Sequence, residues 1–92
     1  MDNRKIGAFI AERRKAIGLT QQMLADRLGL TNKAVSKWET GDGLPDITVL
    51  PALAENLGVT VDELLAGERR PKDPNLGLET QKYLEERARR RQ

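Results

Sequence analysis

The sequence predicts an all-α fold, five short helices around one core followed by a charged C-terminal helix or tail. Three observations predict it. Hydrophobic residues make up 38% of the 92 positions but aromatic residues only 3%, so Leu, Ile, Val and Ala must supply the core, a composition that favours helix over sheet. Apolar residues recur three and four positions apart rather than at every second position. Glycine closes each apolar run, at Gly18, Gly29, Gly41, Gly58 and Gly67, where a helix C-terminus accepts it best.

The first helix spans about residues 4–17 and turns Ile6, Phe9, Ile10 and Ile17 inward, with Glu12, Arg13 and Lys15 pointing elsewhere. Thr20 caps a second helix, Gln21 to Leu28, whose inward side is Leu24, Ala25 and Leu28 with Met23 at its margin. Gly29 supplies the left-handed residue of a sharp turn. Thr31 then caps a third helix, Asn32 to Glu39 or Thr40, which buries Val35 and Trp38 before Gly41-Asp42-Gly43 breaks it.

The fourth helix is bracketed by Pro45 and Pro51, and an interior proline costs about 3 kcal/mol. Asp46 to Thr48 is therefore placed in a turn and Pro51 at the first helical position, where its missing N–H is harmless. Leu53, Ala54 and Leu57 face the core. Thr60-Val61-Asp62-Glu63 forms a capping box for a short fifth helix that carries Val61, Leu64 and Leu65 inward. The domain ends at residue 67. Residues 68–75 are charged and proline-broken and read as a linker. Residues 76–92 read as a charged helix or tail with a thin stripe of Leu76, Thr80, Tyr83, Leu84 and Ala88. Its final Glu85-Glu86-Arg87-Ala88-Arg89-Arg90-Arg91 fits a solvated or packing helix, a dimerising helix or a nucleic-acid arm.

The chain has no Cys and no His, which removes thiolate chemistry, disulfides, the usual zinc ligands and the usual general base at neutral pH. Its acidic residues lie near helix starts and on exposed faces, where capping or solvation accounts for them. The expectation is a non-enzyme with no catalytic residues, no cofactor, no metal and no evident small-molecule ligand. Met1-Asp2-Asn3-Arg4-Lys5 leads directly into the first helix with no apolar leader, and no stretch approaches a membrane span. A cytoplasmic protein is therefore expected.

Net charge is only +2, but it is unevenly placed. Residues 1–38 carry eight Lys/Arg against three acids, residues 39–67 six acids and no Lys/Arg, and residues 68–92 eight Lys/Arg against five acids. A polyanion is attracted to the first segment and repelled by the second. Inside the basic segment, residues 20–39 have helix-turn-helix spacing. Ala25 is small where the two helices cross, Gly29 permits the turn, and Val35 and Trp38 fix the second helix of the pair against the first. The outward side is then Asn32, Lys33, Ser36 and Lys37, all hydrogen-bond donors and none acidic, which suits the DNA major groove. Trp38 has a second reading, stacking on a base, but its register with Val35 favours the core.

At Gly18-Leu19-Thr20-Gln21, Leu24-Ala25, Leu28-Gly29, Val35-Ser36, Glu39-Thr40-Gly41, Leu50 to Ala54 and Leu57 to Leu65 the sequence resembles the phage repressor and Cro-like (XRE-type) helix-turn-helix regulators. The resemblance covers residues 5–67. It implies a five-helix lambda-repressor-like domain that binds double-stranded operator DNA as a homodimer and regulates transcription, with repression the safer expectation. It implies that Gln21 holds a DNA phosphate and braces Asn32, and that N–H groups near Thr20 face phosphates as well. Asn32 and Lys33 would read bases, Lys37 a base or a phosphate, and Ser36 the backbone or a base edge. Arg14 and Glu39 match a pair common in the family. Phosphate binding is open to Arg14, but a bidentate brace between two helices fits guanidinium chemistry better.

One departure is the loop Thr40-Gly41-Asp42-Gly43, where many relatives carry Lys or Arg. Asp42 sits badly beside a phosphate, leaving the N–H groups of the two glycines as substitutes. Dimerisation is expected through the acidic fourth and fifth helices, since one short helix reads only a few base pairs and two-fold pairing reads half-sites about 34 Å apart. The alternative is a protein-interaction module, antitoxin-like or anti-regulator, using the same helices. RNA association through the arginine-rich end is disfavoured because no aromatic platform is present for stacking bases.

Overall fold

The computed structural model describes residues 2–70, and every regular element among them is a helix. The elements are α1 (Asn3–Ile17), α2 (Gln21–Leu28), α3 (Asn32–Thr40), α4 (Leu50–Leu57) and α5 (Val61–Ala66). The expected helix or tail at 76–92 lies outside the described residues, as does the linker beyond Arg70.

Short polar side chains start four of the five helices by accepting from N–H groups that the first turn leaves unpaired. Asp2 accepts from Arg4 and Lys5 N–H in α1, Thr20 from Met23, Thr31 from Ala34, and Thr60 from Glu63. α4 begins differently. Asp46 Oδ1 accepts from both the N–H and the hydroxyl of Thr48 at 2.9 Å, and this turn delivers Val49 already in helical conformation without a side-chain cap. Leu50 is therefore the first residue of α4, and Pro51 stands second rather than first as expected. The shift is harmless, because the second N–H of a helix also lacks an internal partner.

The core joins Ile6, Phe9 and Ile10 of α1 to Leu24 and Ala25 of α2, Val35 and Trp38 of α3, Leu53, Ala54 and Leu57 of α4, and Leu64 of α5. α1 is its axis, packing against α3, α4 and α5. Arg13 fastens α4 to this axis: its Nε and Nη2 donate to the Leu57 carbonyl at 3.2 and 3.1 Å, using one of the acceptors that end α4.

Two expected core residues lie elsewhere. Ile17 is 41% exposed, because α1 ends there and the chain reverses at Gly18. Leu19 returns to the core instead, with its N–H on the Arg14 carbonyl. Leu65 is 37% exposed, because α5 is only six residues long and presents Leu64 to the core with its neighbour rotated about 100° away. Val61 and Leu28 are partly buried against the core, and Met23 is exposed.

The backbones of α1 and α3 come close together at Gly7. A β-carbon at Gly7 would overlap the carbonyl oxygen of Trp38, and the obstacle is backbone that cannot rotate aside. Gly7→Ala raises local helix propensity by about 1 kcal/mol but forces the two helices apart, and such overpacking costs about 1–3 kcal/mol. A net loss of stability is expected, seen as a lower urea midpoint; a midpoint equal to or above wild type would contradict this contact.

The capping box of α5 supplies a pH dependence. N–H groups of Thr60 and Arg70 donate to Glu63 and hold its carboxyl below the usual range. A depressed carboxyl stabilises the fold fully above its unfolded value, about pH 4.3, and loses that contribution as pH falls through the folded value. Glu63→Gln should therefore lower the melting temperature near pH 7, and the two proteins should converge near pH 3. A constant difference across that range would rule out the linkage.

Candidate nucleic-acid interface

The geometry of α2 and α3 follows from their joint. Gly29 adopts φ 67° and reverses the chain, the Leu30 N–H closes α2 on the Ala25 carbonyl at 2.9 Å, and Thr31 starts α3. Ala25, Val35 and Trp38 are buried as expected, which fixes the opposite side of α3 as the outward one. Asn32, Lys33 and Lys37 are exposed there, and Ser36 is half-buried at the edge. Among the described residues, none of these four side chains has a hydrogen-bond partner, so their donors face solvent.

Arg14 is not on that surface. It is buried, and its Nε and Nη2 donate to Glu39 Oε2 and Oε1 at 2.7 and 2.9 Å, while Nη1 donates to the Leu19 carbonyl at 2.8 Å. The hydrogen-bonded carboxylate of Glu39 holds the guanidinium still more firmly protonated than usual. The bidentate brace expected from the sequence is present, joining α1 to the end of α3.

Gln21 differs from expectation. Its amide nitrogen donates to Glu39 Oε1 at 3.1 Å and so joins the Arg14–Glu39 pair rather than bracing Asn32. The cause is position: the first residue of α2 lies beside the last turn of α3, where the nearest strong acceptor is a carboxylate. Thr20 uses its hydroxyl as the cap of α2, on the Met23 N–H at 3.0 Å.

The loop after α3 is more closed than expected. The Gly41 and Asp42 N–H groups donate to the Trp38 and Lys37 carbonyls at 3.1 and 2.9 Å, ending the helix, and Asp42 Oδ2 accepts from the Thr40 hydroxyl at 3.0 Å. Gly41 therefore has no N–H to spare for a phosphate, which leaves Gly43. Its β-carbon position meets only Lys37 Cβ, at 4.0 Å.

Several structural roles were not singled out from sequence. Gly7 sits inside an apolar helical run, and a glycine there is itself a signal of close backbone approach. Arg13 and Leu19 carry no such signal, because both roles depend on which helix comes alongside. Among the described residues, no group of three or more His, Cys, Asp or Glu side chains is placed to hold a metal ion, and no helix is long and apolar enough to cross a membrane.

The profile of the Helix-turn-helix family matches residues 10–64. Over 50 residues the chain is 46% identical to the HTH-type transcriptional activator BcrR of Enterococcus faecalis, covering 54% of this chain and 24% of BcrR. Over 60 residues it is 40% identical to the cryptic phage CTXphi transcriptional repressor RstR of Vibrio cholerae serotype O1, covering 65% of this chain and 54% of RstR. The chain thus spans about a quarter of one of these relatives and about half of the other. Among solved structures, the P22 c2 repressor protein in complex with a synthetic operator matches with a TM-score of 0.65 and 35% identity, over 68% of this chain and 96% of that one.

Proposed function

The chain belongs to the helix-turn-helix family of phage repressors and transcriptional regulators, and from that premise we propose that it binds a two-fold operator in duplex DNA as a homodimer, with α3 in the major groove. One observation carries the reading: α3 turns outward a surface of Asn32, Lys33, Ser36 and Lys37 that contains no carboxylate, on a helix whose other side is buried. Asn32 pairs with adenine and Lys33 with guanine, each worth about 1–3 kcal/mol of discrimination. Gln21 and the unpaired N–H groups that follow Thr20 take phosphates.

No catalysis is assigned. The protein acts in the cytoplasm by occupying its site. One relative is described as a repressor and another as an activator, so the sign of regulation follows where the operator lies. Repression by occlusion is the default, since it needs no contact beyond the DNA.

The dimer is assigned to a flank of the domain that leaves the outward side of α3 free to face the same duplex in both copies. An apolar groove of about 230 Å³ lies between α1, the loop before α4, α4 and α5. Ile6, Ile10 and Leu53 form part of its lining, with Leu44 and Ile47 among its rim residues. Ile47 is 79% exposed and, with the exposed Leu44 and Leu65, makes the groove's edge a contiguous apolar patch of the kind a second surface covers. α4 and α5 carry three acids, Glu55, Asp62 and Glu63, and no Lys or Arg, so these helices do not attract DNA.

Selection of duplexes from a random pool tests the function. A two-fold motif should emerge, with log K falling against log salt at a slope of about −5 to −9, as for 6–10 phosphate contacts. Asn32→Ala and Lys33→Ala should relax the motif at particular positions, whereas Gln21→Ala should weaken all sites alike. Recovery of a protein partner with no enriched motif would favour the interaction-module reading instead.

Ile47→Glu tests the dimer. Because Ile47 is exposed in the monomer, the substitution should leave the unfolding free energy of dilute protein within about 0.5 kcal/mol of wild type. It should abolish the dimer in sedimentation equilibrium and reduce binding to that of a single half-site. A dimer that survives this charge would place the interface elsewhere.

A further inference from the structure

Where the first three helices meet, one carboxylate oxygen serves two donors. Glu39 Oε1 accepts from Arg14 Nη2 at 2.9 Å and from the Gln21 amide nitrogen at 3.1 Å, while Oε2 takes Arg14 Nε at 2.7 Å. A carboxylate offers acceptors only, so it admits the amide nitrogen of Gln21 and rejects its carbonyl oxygen. The amide cannot turn end for end. With one N–H committed to Glu39, the second N–H of the same planar group points away from it, and among the described residues it has no partner. A phosphate oxygen needs such a donor. The Glu39 side chain is itself only 8% exposed, so any effect it has on DNA must pass through its neighbours.

We propose that the Arg14–Glu39 pair, besides bracing α1 to α3, is a positioning device for DNA. Glu39 fixes the Gln21 amide so that its free N–H meets a backbone phosphate, and Arg14, anchored on the Leu19 carbonyl, fixes Glu39. This rests on the duplex-DNA reading above. The gain is preorganisation: a half-buried glutamine held before binding does not have to be ordered by the DNA.

A double-mutant cycle on the full chain tests it, with circular dichroism confirming that each variant is folded at the working temperature. Gln21→Ala should weaken the selected duplex by about tenfold, as for a hydrogen bond to a charged group, while leaving the salt slope unchanged, because a neutral amide releases no counterion. Glu39→Gln should cause a similar loss alone but less than about twofold more in the Gln21→Ala background. If that variant unfolds, Glu39→Asp keeps the charge beside Arg14 while drawing the carboxylate back by one methylene, and the same pattern is expected. In the free protein, the two Gln21 side-chain amide protons should be resolved in NMR spectra, one of them protected from exchange, and that protection should disappear in both Glu39 variants. Losses that multiply, or an unprotected Gln21 amide in wild type, would overturn the positioning role while leaving the DNA reading intact. A wild-type protein that retains no duplex would overturn the DNA reading, and the positioning role with it, whatever the NMR spectra show.

Discussion

α3 is nine residues long, too short to persist as a helix in water, so its shape and direction come from whatever grips its inward side. α1 does much of the gripping, at two places. Gly7 lets the backbones of the two helices touch at Trp38, and two turns later, about 10 Å along α1, Arg14 reaches Glu39 with a two-pronged ion pair. Both attachments fall near the C-terminal end of α3. Its N-terminal half is held instead by the Thr31 cap and by Val35 in the core beside α2. Two anchors spaced along α1 and a third on α2 fix orientation as well as position, and on the proposed DNA reading a helix that enters a groove about 12 Å wide needs both.

This bracing ties down three of the eight cations that first mark residues 1–38 as a polyanion-binding segment. Arg14 is buried in its ion pair, Arg13 is committed to the Leu57 carbonyl, and Lys5 lies 3.2 Å from Glu68. The cations left on the outward side of α3 are Lys33 and Lys37. A charge total therefore overstates the electrostatic attraction, and the lost cation in the loop at Asp42 lowers it further. On the DNA reading, affinity must draw on base contacts and on doubling the domain by dimerisation as well as on counterion release.

The helices were legible in the sequence because their ends were written in side chains that act locally. Thr20, Thr31 and Thr60 each cap the helix that follows, and a threonine before an apolar run needs no knowledge of the rest of the fold to do so. The outward side of α3 was legible for a related reason, since Val35 and Trp38 lie on one side of a helix and Lys33 and Lys37 on the other. What escaped the sequence depends on a neighbour. Ile17 has the spacing of a core residue, but α1 outruns the elements it packs on, and the Gly18 reversal hands the place to Leu19. Leu65 fits an inward stripe equally well until α5 proves too short to bury two adjacent leucines. The Gln21–Glu39 bond spans 18 residues and two helices, and no local pattern announces a contact made only once α2 and α3 have docked.

The placement of the acids suggests which end of α3 leads into a groove. A helix carries partial positive charge at its N-terminus and partial negative charge at its C-terminus. At the start of α3 stand Asn32 and Lys33, with no carboxylate in the first turn. At its end stand Glu39, already neutralised by Arg14, and Asp42, whose carboxylate accepts, among the described residues, only from the Thr40 hydroxyl. Beyond Asp42, residues 43–67 carry four more acids and no Lys/Arg. Dipole, side chains and the following segment thus share one polarity, so a phosphate-walled groove attracts the N-terminal end of α3 and resists the C-terminal end. On the reading proposed above, base contacts are concentrated at Asn32 and Lys33, with Lys37 one turn further along and nearer the negative end of the domain.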